Sequence, residues 1–168
     1  KENLLSFGAI GETFSVGFTP NLDLYSIDWT KKYGFNPIFH FKLHQNSLSK
    51  LEESLVKEAS NCVLLVGEPG VGQEEVILEL TKKVAQGKSF NLLNYKRVLE
   101  LNMPKIIAEG KEKLFSKIQF LFEEAIVAGN VILYIPDIHN YIGLTFGVEE
   151  IAKVDISGVL LNYLSYQD

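Results

Sequence analysis

One short segment of the sequence has the glycine spacing of a phosphate-binding loop. It reads Gly67-Glu68-Pro69-Gly70-Val71-Gly72-Gln73-Glu74 and lies between an apolar run and a segment with helical periodicity. In a working loop of this kind, backbone N–H groups hold the phosphates, a lysine reaches the β- and γ-phosphates, and a Ser or Thr hydroxyl holds Mg²⁺. The lysine and hydroxyl positions are here Gln73 and Glu74. The loop therefore keeps the backbone frame and lacks the two side chains that carry the charge chemistry.

Two glutamates lie in the first turn of the predicted helix. Glu74 and Glu75 complement the partial positive charge of a helix N terminus, but they repel a triphosphate. At a distance of about 4–6 Å this repulsion costs several kcal/mol in a partly buried site. We therefore interpret the loop first as a structural turn whose glycines permit positive φ and close packing. A phosphate nest that binds ATP or ADP weakly through backbone amides is the alternative, and we expect no magnesium site.

Other reactive residue types form no recognisable site in the sequence. The three histidines are far apart and no Cys/His cluster has ligand spacing, so we expect no metal site. Asp137 and His139 have the types needed for acid–base chemistry, but no nucleophile lies beside them. A carboxylate that caps the segment after a strand is the simpler interpretation. Cys62 lies in an apolar run and is predicted to be a buried, inert thiol.

Apolar runs and periodic segments alternate along the chain. Three apolar runs predict buried strands at residues 62–66, 97–101 and 131–135, and the last is typical of a central parallel strand. Segments with helical periodicity are residues 48–59, 73–85, 112–128 and the tail from residue 148. This alternation predicts a parallel sheet in a layered α/β domain.

Residues with capping preferences mark the predicted helix ends. Ser49 and Glu52 have the spacing of a capping box at the start of the first helix. Gly87 and Gly129 follow the second and third helices, where glycine is common. These glycines predict that the second helix ends near residue 85 and the third near residue 128.

The first 45 residues have a different pattern. Gly, Phe and Tyr are frequent there, and the apolar residues lack helical periodicity. We interpret residues 1–45 as an extended arm and residues 46–168 as the folded domain. Aromatic residues are predicted to anchor the arm to the core, namely Tyr25, Trp29, Tyr33 and Phe35. The alternative is that these aromatic residues form a docking surface for a partner.

The overall composition limits the classes of function. At 168 residues, with 46% hydrophobic and 22% charged residues, the chain has the size and composition of one globular domain. Its net charge of −5 gives no electrostatic reason to expect nucleic acid or an anionic membrane as a partner. No apolar run approaches the ~20 residues of a transmembrane helix, and no signal-peptide pattern opens the chain. We interpret the sequence as a cytoplasmic fragment of a longer protein.

The order of these motifs resembles the Clp-type AAA+ unfoldases, and in particular their first ATPase module. The segments that carry the resemblance are residues 19–23 for the linker that enters the module, 61–72 for the Walker A strand and loop, 96–103 for the second strand, and 129–135 with 138–139 for the Walker B strand. The resemblance covers about residues 20–168. It implies a P-loop NTPase fold of the AAA+ type, a three-layer α/β sandwich with a parallel central sheet. The chain would form its large subdomain, ending before the sensor and arginine-finger segments.

The departures from the family pattern fall on functional positions. The family has Asp-Glu after its Walker B strand, and this chain has Pro136-Asp137. The resemblance places Asp137 where the family's glutamate polarises the attacking water, although a register shift would place it at the metal-binding aspartate. Pro136 can neither bind a metal nor donate a backbone hydrogen bond. The adenine-contacting motif is altered at residues 37–42, and residues 109–113 lack the aromatic residue of the family's substrate-gripping loop.

The resemblance and these departures together predict a degenerate module. We expect a pseudo-ATPase with a structural or regulatory role in a chaperone or protease-associated assembly. The implied partners are other AAA+ subunits or a second ATPase module, with protein substrates or adaptors, and neither nucleic acid nor membrane. Two alternatives stay open. One is a weak ATP-binding module or slow ATPase that uses Asp137 and backbone amides, and the other is a protein-interaction domain that contacts its partner through residues 1–45.

Overall fold

A computed structural model describes most of the 168-residue chain, namely residues 17–36, 44–58, 61–110, 113–142 and 155–164. The elements in chain order are α1 (Pro20–Tyr25), β1 (Ser26–Asp28), α2 (Trp29–Tyr33), α3 (Gln45–Leu55), α4 (Gln73–Ala85), β2 (Arg97–Leu101), α5 (Met103–Ala108), α6 (Leu114–Ala128), β3 (Val131–Tyr134), a 3-10 helix (Ile138–Asn140) and α7 (Ser157–Leu164). Within these ranges no helix is long and apolar enough to cross a membrane.

The strands form one mixed sheet in the order β1-β2-β3. β2 and β3 are parallel, with Arg97 opposite Val131. β1 is antiparallel to β2, with Ser26 opposite Leu101. The predicted parallel pairing is therefore confirmed for β2 and β3, whereas an entirely parallel sheet is wrong. β1 is only three residues long and is not an apolar run, so periodicity gave no signal for it.

Alternating residues of the strands face two separate cores. Leu99 of β2 and Leu133 of β3 contact one core, which contains buried residues of α1, α5, α6 and α7. Val98 and Ile132 contact the other core, which contains buried residues of α2, α3 and α4. This alternation is the period-two geometry of a strand. Helices therefore cover both faces of the sheet.

Residues 62–66 form no strand in the described fold. They pair with none of the three strands, and Val66 is 84% exposed. Leu65 alone among the five is partly buried, against the second core. The prediction of a buried strand is therefore wrong here, and so is that of a buried Cys62, which is exposed. A continuous apolar run needs cover on both faces and paired neighbours, whereas the described residues pair with none of this run and partly cover only Leu65.

β3 also differs from its prediction. It ends at Tyr134, one residue early, and its four residues are half-buried. Its one partner among the described strands is β2, so it lies at an edge of the described sheet rather than at the centre.

The helix predictions hold best for α6. The apolar residues that a helical period places on one side are all buried, namely Leu114, Ile118, Leu121, Phe122 and Ala125. Gly129 follows its end with a φ of +69°, which is the left-handed conformation of a helix C-terminal glycine. α4 ends at Ala85 as predicted, and Gly87 beyond it has a φ of +66°.

The predicted capping box at Ser49 is wrong. The N-cap position of α3 is His44, five residues before Ser49, and the helix begins at Gln45. Glu52 is buried and accepts hydrogen bonds from Lys83 and Ser89, so it serves tertiary contacts instead of the helix terminus. The pattern Ser-x-x-Glu occurs both in capping boxes and inside helices, so the sequence does not distinguish the two. Here the packing of α3 against α4 places the pattern inside the helix.

Residues 20–33 are not an extended arm. They form α1, β1 and α2, which corrects the interpretation for this part of the segment. The guanidinium of Arg97 donates hydrogen bonds to Thr19, Asp23 and Asp28. The carboxylate of Glu124 on α6 accepts from the backbone N–H groups at the start of α1, with the shorter distance 2.6 Å. Residues 1–16 and 37–43 lie outside the described residues, and the domain boundary at residue 45 stays a prediction.

The aromatic residues of this segment anchor it unequally. Trp29 is 6% exposed and contacts the rings of Tyr33 and Tyr134 edge to face. Tyr25 is also buried, in the core that contains Leu99, whereas Trp29 lies in the core that contains Val98. Anchoring is therefore confirmed for Trp29 and Tyr25, and Tyr33 is partly buried. The prediction is wrong for Phe35, whose side chain is exposed.

Candidate functional site

The glycine-rich loop leads directly into α4. Gly70 and Gly72 have φ values of +85° and +96°, in the left-handed region where other residues are strained. The N–H of Val71 donates to the carbonyl oxygen of Glu68 at 3.2 Å, and the N–H of Val76 donates to that of Gly72 at 3.2 Å. These bonds close the loop and start the helix. The loop and helix expected from the sequence are therefore present, without the strand before them.

The side chain of Gln73 folds back over the loop. Its Nε2 donates a hydrogen bond to the carbonyl oxygen of Glu68 at 3.4 Å. The same nitrogen would lie 2.8 Å from a Cβ added to Gly67, so the amide lies against the loop backbone. Gln73 stands at the position of the lysine in a working loop. A neutral amide that is bonded to the loop itself therefore replaces the cation that would meet the phosphates.

The loop and the end of β3 share one electrostatic environment. Burial, followed by the charges of Glu74, Glu100 and Asp137, raises the pKa of Tyr134 to about 12. Glu74 lies in the first turn of α4, and Asp137 follows β3. Two sequence-predicted site residues therefore contribute to the electrostatic environment of the same phenol. Both are anions.

No salt bridge with a described residue offsets this negative charge. Within the described ranges, none of Glu68, Glu74, Glu75 and Asp137 forms a salt bridge. Glu74 and Glu75 remain in the first turn of α4, where they complement the helix dipole. A bound polyphosphate at this helix terminus would meet these carboxylates. The first turn of α4 therefore carries negative charge at the terminus where a phosphate would bind.

Asp137 begins the 3-10 helix without capping it through its side chain. Its φ is +48°, its carbonyl oxygen accepts from the N–H of Asn140 at 2.9 Å, and its carboxylate makes no capping hydrogen bond. The prediction of a side-chain cap is therefore wrong, although the residue occupies the cap position. The exposed carboxylate is available at the end of β3. Pro136 precedes it and is partly buried.

His44 lies beside the loop, which the sequence did not indicate. A Cβ on Gly72 would lie 2.9 Å from the His44 Nε2 and 3.1 Å from an oxygen of Glu75. This proximity arises from the packing of α3 against α4, and no local sequence signal reports it. Among the described residues, no group of three or more His, Cys, Asp and Glu could hold a metal ion. His139 is exposed, and residues 37–42, including His40, lie outside the described part.

The described part of residues 109–113 makes contacts within the chain. Glu109 accepts a hydrogen bond from the hydroxyl of Tyr25 and forms a salt bridge with Lys117 at 3.2 Å. The hydrogen bond from Tyr25, and after it that from Lys117, lowers the pKa of Glu109. The carboxylate therefore ties the end of α5 to α6 and α1. Residues 111 and 112 lie outside the described ranges.

Comparison with known proteins identifies related sequences. The chain is 31% identical over 148 residues to the chaperone protein ClpB of Wolinella succinogenes, which covers 85% of this chain and 17% of that protein. It is 30% identical to the chloroplastic chaperone protein ClpD1 of Oryza sativa subsp. japonica, covering 83% of this chain and 15% of ClpD1. The chain is a relative of the Clp-type AAA+ proteins. The resemblance found in the sequence is confirmed, while no family model matches the chain.

Solved structures show the fold of this Clp relative. Its structure superposes on Saccharomyces cerevisiae Hsp104 in a complex with casein with a TM-score of 0.70 at 20% identity, covering 86% of this chain and 24% of Hsp104. An Hsp104-ADP complex gives a TM-score of 0.65 over the same shares. At this identity the likeness shows an AAA+ fold and nothing about activity. The chain spans about one sixth of the length of its curated relatives.

Proposed function

We propose that this chain is the large subdomain of a degenerate AAA+ module, a pseudo-ATPase with a structural or regulatory role in a chaperone or unfoldase assembly. The observation that carries the proposal is the conformation of Gln73, whose amide is bonded to the loop carbonyl of Glu68. The site lacks the lysine at this position. It also lacks the hydroxyl at Glu74 and the metal-binding carboxylate at Pro136.

The chemistry of phosphoryl transfer gives the physical reason. Catalysis of this transfer depends on positioning and on neutralising the charge that spreads over the phosphate oxygens. This loop offers backbone N–H groups but no side-chain cation, and Glu74 adds an anion in the first turn of α4. Three chemically independent losses act in the same direction, so a single substitution does not restore the reaction.

Weak binding of ATP or ADP through the backbone amides, without Mg²⁺, is part of the proposal. The left-handed conformations of Gly70 and Gly72 support it, because they direct the loop backbone as a phosphate nest requires. The Hsp104 structure solved with ADP supports it by analogy of fold. Other AAA+ subunits and protein substrates or adaptors are the proposed partners, in a cytoplasmic setting, and the Hsp104 complex with casein is the corresponding analogy.

We also propose that residues 62–66 become a strand of the sheet in the complete module. Four of their five side chains are exposed in the described fold, and exposed apolar runs of this kind are unfavourable in water. Their position directly before the loop is that of the Walker A strand. Together with β3, this strand would complete the parallel sheet of the three-layer sandwich.

A slow ATPase is the second candidate, and the position of Asp137 favours it. This carboxylate is exposed, makes no salt bridge with a described residue, and lies close enough to Tyr134 to affect its pKa, as Glu74 of the loop helix does. A carboxylate at this point could orient a water molecule.

Phosphate release separates the two candidates. We expect no Mg²⁺-dependent release of phosphate from ATP above the background without protein. The matched variants are Asp137→Asn and, as a control at another exposed carboxylate, Glu53→Gln. Release that is Mg²⁺-dependent, lost in Asp137→Asn and kept in Glu53→Gln would reject the pseudo-ATPase and establish the slow ATPase.

A further inference from the structure

The side of α6 that faces away from the core carries large apolar residues. The exposed ones are Phe115, Phe120, Ile126 and Val127, which we call the outer α6 face. Val127 is 88% exposed, so no described residue covers it. A helix that is apolar on both sides needs a partner on its second side, and an exposed apolar patch of this kind marks an interaction site.

The chain enters the described fold at the C-terminal end of this face. Gly17 lies so close to Ala128, the last residue of α6, that a Cβ on Gly17 would be 2.5 Å from the Ala128 Cα. The next residue, Phe18, is 87% exposed. Glu124 holds the start of α1 against the same helix through the N–H groups of Asn21 and Leu22. Whatever precedes Gly17 therefore starts next to Ala128, the residue that follows Val127.

We propose that residues 1–16 of this chain dock on the outer α6 face. The segment supplies the apolar side chains that such a surface requires, namely Leu4, Leu5, Phe7, Ile10, Phe14 and Val16. Its length is sufficient. α6 has 15 residues and is about 22 Å long, whereas 16 extended residues reach up to about 50 Å.

Charge and tethering favour this occupant over a second copy of the chain. The segment has three charged residues, and the exposed polar positions between the apolar ones are Ser116, Gln119 and Glu123, so few charges lose water on docking. A short tether gives an effective concentration in the millimolar range. At micromolar protein, the attached segment therefore outcompetes another molecule that offers a comparable apolar surface.

Disulfide trapping in the full chain tests the proposal. The Cys62→Ser background removes the one cysteine, and Ile10→Cys is combined with Val127→Cys. The control pair is Ile10→Cys with Leu24→Cys, because Leu24 is also exposed and apolar and lies the same number of residues after Gly17 as Ile10 lies before it. We expect intramolecular disulfide formation about tenfold faster in the Val127 pair, at a rate independent of protein concentration. Equal rates in the two pairs would overturn the proposal.

Limited proteolysis of a second pair of variants gives an independent readout. In Ile126→Ser/Val127→Ser we expect cleavage by chymotrypsin after Phe7 and Phe14 to be about tenfold faster than in the unaltered chain, because cleavage follows the undocked population. Leu24→Ser is the control and should leave the cleavage rate unchanged. Unchanged cleavage in the double variant would contradict docking in cis.

The disulfide experiment has a further outcome. If the Ile10→Cys/Val127→Cys variant forms disulfide-linked dimers whose share increases with protein concentration, the face binds a second copy of the chain, and this also overturns the proposal.

Discussion

Lys83 on α4 and Glu52 on α3 form an ion pair in which Nζ and Oε2 are 2.5 Å apart. Glu52 is 3% exposed, and its second carboxylate oxygen accepts from the hydroxyl of Ser89 at 2.6 Å. One buried carboxylate thus joins α3, α4 and the segment after α4. Lys83 lies in the last turn of α4, at the opposite end of that helix from the glycine-rich loop.

Removing the cation of this pair is expected to destabilise the fold. Lys83→Met leaves the carboxylate of Glu52 buried with only the Ser89 hydroxyl as a partner. We expect a loss of about 2–3 kcal/mol in the free energy of unfolding, below the value for a fully buried pair because Lys83 is partly exposed. Urea denaturation measures it. The control Lys57→Met, at an exposed lysine, should change stability by less than about 0.5 kcal/mol. Equal effects of the two variants would show that the pair contributes nothing specific.

Local patterns in the sequence predicted α6 well and tertiary features poorly. The inner face of α6 and its terminal glycine follow from a period of 3.6 residues and from one backbone conformation, which are both local. β1 has no apolar run, and it is held by pairing with β2 and by Arg97, which bonds to Asp23 and Asp28. The sequence contains Arg97 and both aspartates, but it does not indicate that they meet.

In the candidate site, too, the local features were predictable from the sequence and the tertiary contacts were not. The left-handed glycines at 70 and 72 were predictable from the loop motif, and so was the helix that follows. The contact of Gln73 with Glu68 depends on a side-chain rotamer, and the approach of His44 to Gly72 depends on helix packing. Residues 62–66 were misjudged because an apolar run predicts burial only when other strands are present to cover it.

Restoring the missing loop chemistry is expected to restore nucleotide binding without hydrolysis. Gln73→Lys with Glu74→Thr returns the cation and the hydroxyl. Pro136 still stands where the family has its metal-binding aspartate, and proline has no side chain that binds a metal. Isothermal titration calorimetry should give ATP binding at least about tenfold tighter than in the unaltered chain, because one cation beside the phosphates contributes at least about 1.4 kcal/mol. The control Asn91→Lys with Glu53→Thr, at two exposed residues, changes the net charge equally and should not gain affinity. Absence of ATP heat in the repaired loop would mean that its geometry or the adenine pocket is also lost.

The pKa of Tyr134 predicts a loss of stability at high pH. Burial raises this pKa to about 12 in the folded chain, above the ordinary value of 10.0, so the folded state keeps a proton that the unfolded state has released. The stabilisation is complete below pH 10 and declines as the pH rises towards 12. Because the residue is half-buried, we expect its share of the loss to be about 1–2 kcal/mol.

Unfolding by urea at several pH values tests this sign. Tyr134→Phe should lose less stability than the unaltered chain between pH 10 and pH 12. Tyr95→Phe, at an exposed tyrosine, should follow the unaltered chain. If the free energy of unfolding falls equally with pH in Tyr134→Phe and in the unaltered chain across this interval, the phenol of Tyr134 does not titrate with the raised pKa.

The exposure of Cys62 makes its thiol a reporter for the state of residues 62–66. In the chain alone we expect iodoacetamide to modify it within the folded state, since the residue is exposed and belongs to no strand. In a chimera that continues this chain with the segment that follows the aligned region of Wolinella succinogenes ClpB, the added strands should cover the run. We then expect modification to slow by at least about tenfold, as for a group that reacts only after local opening. As a control, the substitutions Cys62→Ser and Leu92→Cys move the thiol to the loop before β2. This thiol should react equally fast in the chain alone and in the chimera. Unchanged reactivity of Cys62 would reject residues 62–66 as a strand of the completed sheet, even if the chimera folds.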